Sequence, residues 1–424
     1  VVAAANQDLK LTNIPGAPKR GHFSFCAFCI LAVNITFMRL CFLLLLLSFH
    51  CVAQDFTTPF ERSGGKESAT YEQLMTYYQQ LDDKYSTIQM EAVGLTDVAH
   101  PLHVVYYSSD GQFDVDTWKQ QHKIILLINN GIHPGEPDGI DACMMLLRDA
   151  AEHKIQVPDN VVLAVIPVYN VGGMLNRGSH SRANQNGPLE YGFRGNEQNL
   201  DLNRDFIKMD AKETRSLVGL FHRLDPDIFI DNHVSDGADY QHIMTLLATQ
   251  HNKLGGEMGH YQYKTLVPAI FADMKERGYD LVPYVNDFDK TPDVGWREFY
   301  DPPRFSSGFA TLFQTYAFVP ETHMLKPYKD RVMATYELMC SFIKFSSEHA
   351  HDIQTTRVHD RDAAIAKTEF PIDWKVDTTR HDDILFKGYT PGYKPSEVSG
   401  QPRLYYDRTK PFTKTVPFYD HYLG

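Results

Sequence analysis

Four short stretches of the chain place groups that could bind a metal ion or move a proton. His133-Pro134-Gly135-Glu136 sets an imidazole and a carboxylate three residues apart at a turn, where both can reach one ion. Five histidines have an acidic residue three positions on: His133, His222, His233, His349 and His359. Only His133 is followed there by Glu, so the pair acquires meaning from its company rather than alone. The second stretch runs from Arg194 to Phe206 and packs Arg194, Asp201, Asn203 and Arg204 into a loop opened by Gly195. An Asn-Arg pair presents fixed donors to a carboxylate, and Arg grips one with a bidentate fork that Lys cannot reproduce. The third is His233, which closes an apolar run directly after Asp231-Asn232. The fourth is Glu321, in Pro320-Glu321-Thr322-His323 at the end of another apolar run, where a buried carboxylate needs a partner or a reaction.

These groups need elements to carry them. Tyr71, Leu74, Met75, Tyr78 and Leu81 recur at three- and four-residue spacing and predict a helix over 70–85. Short apolar runs at 104–107, 124–128, 161–168, 228–230 and 311–319 predict strands. Helical patterns at 138–151, 210–224, 256–277 and 328–345 alternate with them. That alternation predicts an α/β fold whose mixed, largely parallel central sheet has helices on both faces, with functional groups gathered where strands end. Pro371 opens a Pro-, Tyr- and Lys-rich stretch without helical period, expected to form a small β-type C-terminal segment over 371–424. The chain stops at Gly424 without a closing motif, which suits a shortened sequence.

In this order, the four stretches resemble the zinc carboxypeptidase family, the carboxypeptidase A-like metallopeptidases, as a bacterial-type secreted member over roughly residues 71–345. The resemblance implies one Zn2+ held by His133, Glu136 and His233, with a fourth position open as catalysis requires. It implies Glu321 as general base, and Arg194, nine residues before Asn203, as the group that steadies the oxyanion in short-loop members. Asn203 and Arg204 match the pair that holds the substrate's terminal carboxylate, and Asp201 the carboxylate that orients the first zinc histidine. Val234 stands where the family often has Ser. Tyr300 is the candidate for the tyrosine that caps the substrate, with Tyr316 behind it.

The family pattern implies hydrolysis of the C-terminal peptide bond of peptides with a free terminal carboxylate. Two other readings stay open: a related zinc amidase that deacylates N-acyl amino acids, as aspartoacylase-like relatives do, and a zinc-bearing binding protein without turnover.

The 424 residues are 43% hydrophobic and 22% charged, a composition that excludes disorder throughout. A net charge of −12 with no basic cluster argues against a nucleic-acid partner while leaving room for a small basic pocket. Met38 to Ala53 reads as a signal peptide, with one arginine, a leucine-rich core and small residues before the cut, so a secreted or periplasmic location without a lasting membrane span is expected. Residues 1–37 begin with Val1 and read as upstream sequence, leaving 54–370 as the catalytic domain. Removing 1–53 leaves 37 basic and 52 acidic residues, net −15. It also leaves only Cys143 and Cys340, expected as two buried thiols rather than a disulfide.

Overall fold

The computed structural model describes residues 56–286 and 290–424. The segment 1–37 read as upstream sequence, the segment 38–53 read as a signal peptide and the cysteines within 1–53 lie outside the described residues. Residues 56–424 form one packed unit.

The first long helix, α1 (Tyr71–Lys84), starts where Thr70 and Gln73 cap each other: Thr70 Oγ1 accepts from the Gln73 N–H at 3.3 Å, and Gln73 Oε1 accepts from the Thr70 N–H at 2.9 Å. Its buried stripe of Leu74, Tyr77, Tyr78 and Leu81 faces the core. A strand absent from the sequence-based expectation follows, β1 (Ile88–Leu95), paired antiparallel with β2 (Pro101–Tyr107). It is a sheet edge with several polar, exposed positions and a bulge between Ala92 and Gly94, so no clean two-residue alternation announces it.

The interior strands are β3 (Ile124–Asn129), β4 (Val161–Ile166), β5 (Ile228–Asp231), β6 (His233–Ser235), β7 (Met244–Ala248), β8 (Val282–Pro283), β9 (Trp296–Arg297) and β10 (Tyr316–His323). All but β9 join one sheet in the order β1-β2-β4-β3-β5-β10-β7-β8, with β6 also paired to β10. The middle is parallel, β4-β3-β5-β10; β1, β2 and β7 join antiparallel, and β8 runs parallel to β7. The expected mixed, largely parallel sheet is therefore observed.

Alternate residues of β3 serve opposite faces. Leu126 and Ile128 pack with α1, with α2 (Asp138–Ala151) and, downstream, with the helix at Tyr328–Glu348; Ile125 and Leu127 pack with α3 (Lys212–Leu224). Full burial on both sides explains why the central strands read as unbroken apolar runs. The later helices are α4 (Tyr328–Glu348) and α5 (Ala350–Ala366).

The strand expected over 311–319 is displaced. Ser306–Thr311 is a short, wholly buried helix, and β10 begins only at Tyr316. Periodicity cannot separate a buried helix of small residues from a strand; Gly308 in this helix lies against the Asp301 and Pro302 carbonyls, where a Cβ would collide.

Beyond α5, β11 (Lys375–Val376) pairs with β14 (Tyr422–Leu423), and β12 (Asp382–Pro395) with β13 (Pro402–Tyr419) forms a long antiparallel hairpin. Phe418 of β13 pairs with Trp296 of β9, and Phe386, Val416 and Phe418 pack with Tyr240, Val282 and Trp296. This third core fastens the hairpin to the body. Cys143 is buried as expected, whereas Cys340 is only half-buried, and both thiols are free.

Candidate active site

Adjacent parallel strands deliver three of the four predicted stretches to their carboxyl ends, and the Arg194–Phe206 loop meets them there. The loop after β3 carries His133 and Glu136 into the start of α2; β5 runs into His233; Glu321 sits on β10 directly opposite His233 in the parallel register. Two glycines make the first loop feasible. Gly131 has φ +64°, and a Cβ there would press on Ile140 and Val168 at 3.0 Å. At Gly139 a Cβ would run into Asn130 and Asn232, whose side chains tie the two strand ends through an Asn232 Nδ2 to Asn130 Oδ1 bond of 2.8 Å.

The three candidate ligands converge. His133 Nδ1 lies 3.2 Å from Glu136 Oε1, and His233 Nδ1 lies 3.1 Å from Glu136 Oε2. All three residues are buried, and one ligand atom from each lies within 4.8 Å of the others. Each imidazole is oriented from behind: His133 Nε2 is 3.0 Å from Asp201 Oδ1, and His233 Nε2 is 3.0 Å from Asp231 Oδ2. With both Nε2 atoms committed to carboxylates, both Nδ1 atoms are free to face one point. Two imidazole nitrogens and a carboxylate, with outer carboxylates fixing the rings, is a donor set that suits a zinc-like ion, so the residues present fit a metal.

The electrostatics follow from burial and neighbours. Burial would raise the Glu136 carboxyl, but Arg182, His133 and His233 hold it well below the usual carboxylate range. Burial would discharge His233, yet Asp231 and Glu136 keep its pKa well above the ordinary imidazole value. Asp201 is likewise depressed against its own desolvation, by its hydrogen bond to His133 and by Arg194. Glu321 goes the other way. With only protein groups around it, desolvation and then the nearby Glu136 charge push it to about 8, against the opposing pull of His233.

His133, Glu136, His233 and Glu321 line a cavity of about 510 Å³. Arg194, Asn203 and Arg204 line it, and so do two arginines that the sequence did not single out, Arg182 and Arg304. Arg182 donates to Glu136 Oε1 at 2.6 Å and to the Val234 carbonyl at 3.1 Å. Arg204 and Arg304 flank the Phe305 ring, 4.5 and 4.9 Å from its centre. Four arginines in one concavity of an acidic chain make it attractive to anions. Val234 contributes through its backbone, its N–H donating to Glu136 Oε2 at 2.9 Å.

Tyr300 is not brought into this cavity; its ring stacks on Tyr422 at 6.0 Å. Tyr316 is buried within the core and bonds Thr356. The tyrosine that does line the cavity is Tyr284. Asp231 could have been found from sequence, since residues two apart on a strand share a face and Asp231-x-His233 is such a pair. Arg182, Tyr284 and Arg304 sit in irregular segments without a local signature.

No family model matches the chain. It is 30% identical over 115 residues to carboxypeptidase 2 of Trichophyton tonsurans and 27% identical over 114 residues to carboxypeptidase 2 of Trichophyton rubrum. The first match spans 26% of this chain and only 19% of the curated relative. Among solved structures, thrombin activatable fibrinolysis inhibitor superposes with a TM-score of 0.50 at 13% identity, covering 70% of this chain and 78% of that one. Carboxypeptidase A of Helicoverpa armigera gives 0.49 at 14% identity, over 71% and 75%. The chain shares its fold with thrombin activatable fibrinolysis inhibitor, and a buried His-Glu-His group able to hold a metal ion lies where its central parallel strands end.

Proposed function

We propose that the protein is a zinc-dependent metallocarboxypeptidase that hydrolyses the C-terminal peptide bond of peptides. The observation that carries this reading is the convergence of His133 Nδ1, Glu136 and His233 Nδ1 beneath an arginine-lined cavity whose floor also holds Glu321. His133, Glu136 and His233 would hold the ion, with Asp201 and Asp231 fixing the two rings. When bound, zinc supplies a Lewis acid that acidifies water and polarises the scissile carbonyl.

The chain's own groups do the rest. Glu321 takes the proton of the attacking water and returns it to the leaving amine. Arg194 shares the negative charge that develops on the carbonyl oxygen. Asn203 and Arg204 hold the substrate's terminal carboxylate, which fixes which bond lies over Glu321. Arg182 keeps Glu136 aimed at the common point. The signal-peptide reading of residues 38–53 makes this a secreted or periplasmic enzyme; among the described residues no helix is long and apolar enough to cross a membrane.

The test is hydrolysis of blocked dipeptides that differ in terminal residue, with and without a chelator and with zinc restored, beside an N-acyl amino acid. Chelator-sensitive release of a free C-terminal amino acid is expected. Folded, zinc-loaded protein that spares every dipeptide but cleaves the N-acyl amino acid would overturn the reading in favour of the amidase.

A further inference from the structure

A second group of ligating side chains lies at the base of the C-terminal hairpin and shares no residue with the candidate active site. Asp382 opens β12, and Asp420 and His421 follow β13, so the three stand where both ends of the hairpin leave the body. One ligand atom from each lies within 4.8 Å of the other two. Asp420 is 4% exposed and His421 7%.

Their hydrogen bonding is incomplete. Asp420 Oδ1 and His421 Nδ1 are both buried without a hydrogen-bond partner. Asp420 Oδ1 points toward His421 Nε2 at 3.6 Å, too far for a hydrogen bond. Among the described residues no lysine or arginine forms an ion pair with either carboxylate. Asp382 accepts one bond, from the Tyr263 hydroxyl at 2.7 Å. Lys264 and Arg380 act on this group only through space, so two carboxylates and an imidazole share a buried site in which Asp420 Oδ1 and His421 Nδ1 have no direct partner. A buried carboxylate without a partner is strongly destabilising, and an ion is one way to satisfy it.

We propose that Asp382, Asp420 and His421 form a structural site for a divalent transition-metal cation that clamps the C-terminal hairpin to the body of the protein. The imidazole selects the class of ion: Ca2+ and Mg2+ take oxygen ligands, whereas two carboxylates with a histidine suit Zn2+ or Mn2+. The backbone around the site is already fixed, since the Asp420 carbonyl accepts from Gln250 Nε2 at 2.9 Å and the His421 carbonyl accepts from the Asp377 N–H at 2.8 Å. The His421 ring packs against His251, centroids 5.2 Å apart. The ion would thus join the two hairpin ends across a preformed frame. The same hairpin pairs through Phe418 with Trp296, in the segment that leads to Phe305 at the cavity wall.

Metal counting on the full chain tests this. After loading with Zn2+ and desalting, the wild type should retain two ions per chain, and Asp420→Asn and His421→Gln one each. A His133→Ala/His233→Ala chain should retain one, and that remaining ion should raise its melting temperature; Ca2+ should not. Equal zinc content in the wild type and both hairpin variants would overturn the proposal. So would a His133→Ala/His233→Ala chain that folds and holds no zinc, a measurement that stands even if the hairpin variants fail to fold. A melting shift with Ca2+ as large as with Zn2+ would overturn the class of ion. Failure of the active-site reading alone would show as one ion in the wild type, lost with Asp420→Asn and unaffected by His133→Ala/His233→Ala.

Discussion

Asp231 is buried to 1% of its side-chain surface, and each of its oxygens accepts one N–H: Oδ1 from Asn129 Nδ2 at 2.9 Å and Oδ2 from His233 Nε2 at 3.0 Å. Asp231→Asn keeps the shape and removes one acceptor. If the new amide oxygen faces His233, its NH2 meets the Asn129 NH2, and a buried donor goes unpaired. If the amide turns over, its NH2 faces His233 Nε2 and demands the tautomer with the proton on Nδ1, the atom that points at Glu136. Leaving one buried donor unsatisfied costs about 1–3 kcal/mol, and loss of an orienting partner typically weakens metal affinity by about 10- to 100-fold, equivalent to roughly 1.4–2.8 kcal/mol. Asp201→Asn should lie at the mild end, because the Asp201 side chain is 27% exposed and water can replace what the amide loses. Competition against a chromophoric zinc chelator at fixed pH reads both affinities. A folded Asp231→Asn chain with wild-type zinc affinity, or a larger loss in Asp201→Asn, would refute the reasoning.

Three further outcomes are expected. Glu321→Gln should lower turnover of a blocked dipeptide by about 10²- to 10⁴-fold while zinc content stays unchanged; near-normal turnover would remove Glu321 from the proton-transfer role. Asp141 is buried, accepts from the Ala69 N–H at 3.2 Å and from the Tyr328 hydroxyl, and desolvation pushes its pKa to about 7. Its folded pKa lies above its unfolded value, so the folded state loses stability as pH rises from about 4 to about 7. Asp141→Asn should therefore melt higher than wild type at pH 8, by on the order of 2–4 kcal/mol, with the advantage fading below pH 5; equal melting at both pH values would contradict it. Phe386 is fully buried between Tyr240, Trp296 and Phe412, and Phe386→Ala should destabilise by about 3–5 kcal/mol and expose the 382–419 hairpin to limited proteolysis ahead of the rest. Simultaneous cleavage of the hairpin and the body would show that the third core does not fasten the hairpin separately.

Much of the site was legible because its parts are local. His133 and Glu136 share one turn, and Asp201, Asn203 and Arg204 share one loop. Covalent neighbours that must act together leave a spacing that can be read. The alternation of buried strands and amphipathic helices was legible for the same reason, since a strand covered on both faces must be apolar throughout and a helix covered on one must repeat every three or four residues. The edge strand β1 escaped because neither constraint applies there, and the start of β10 was misplaced because the buried residues leading into it are as apolar as the strand itself.

The sequence by itself determined the fold class, the alternation of central strands and long helices, and the residue types available for metal binding and proton transfer. Only the tertiary structure decided which of them meet. The register of β10 against β6 sets Glu321 opposite His233, 88 positions away, and no pattern in either segment announces it. Arg182, Tyr284 and Arg304 enter the cavity from irregular segments whose course is set by what they pack on, while Tyr300, equally plausible by type, is turned away to stack on Tyr422. The same holds for Asp382 beside Asp420 and His421, brought together by the closing of a hairpin. Side-chain convergence depends on long-range register and packing, and those are properties of the folded whole that no local spacing encodes.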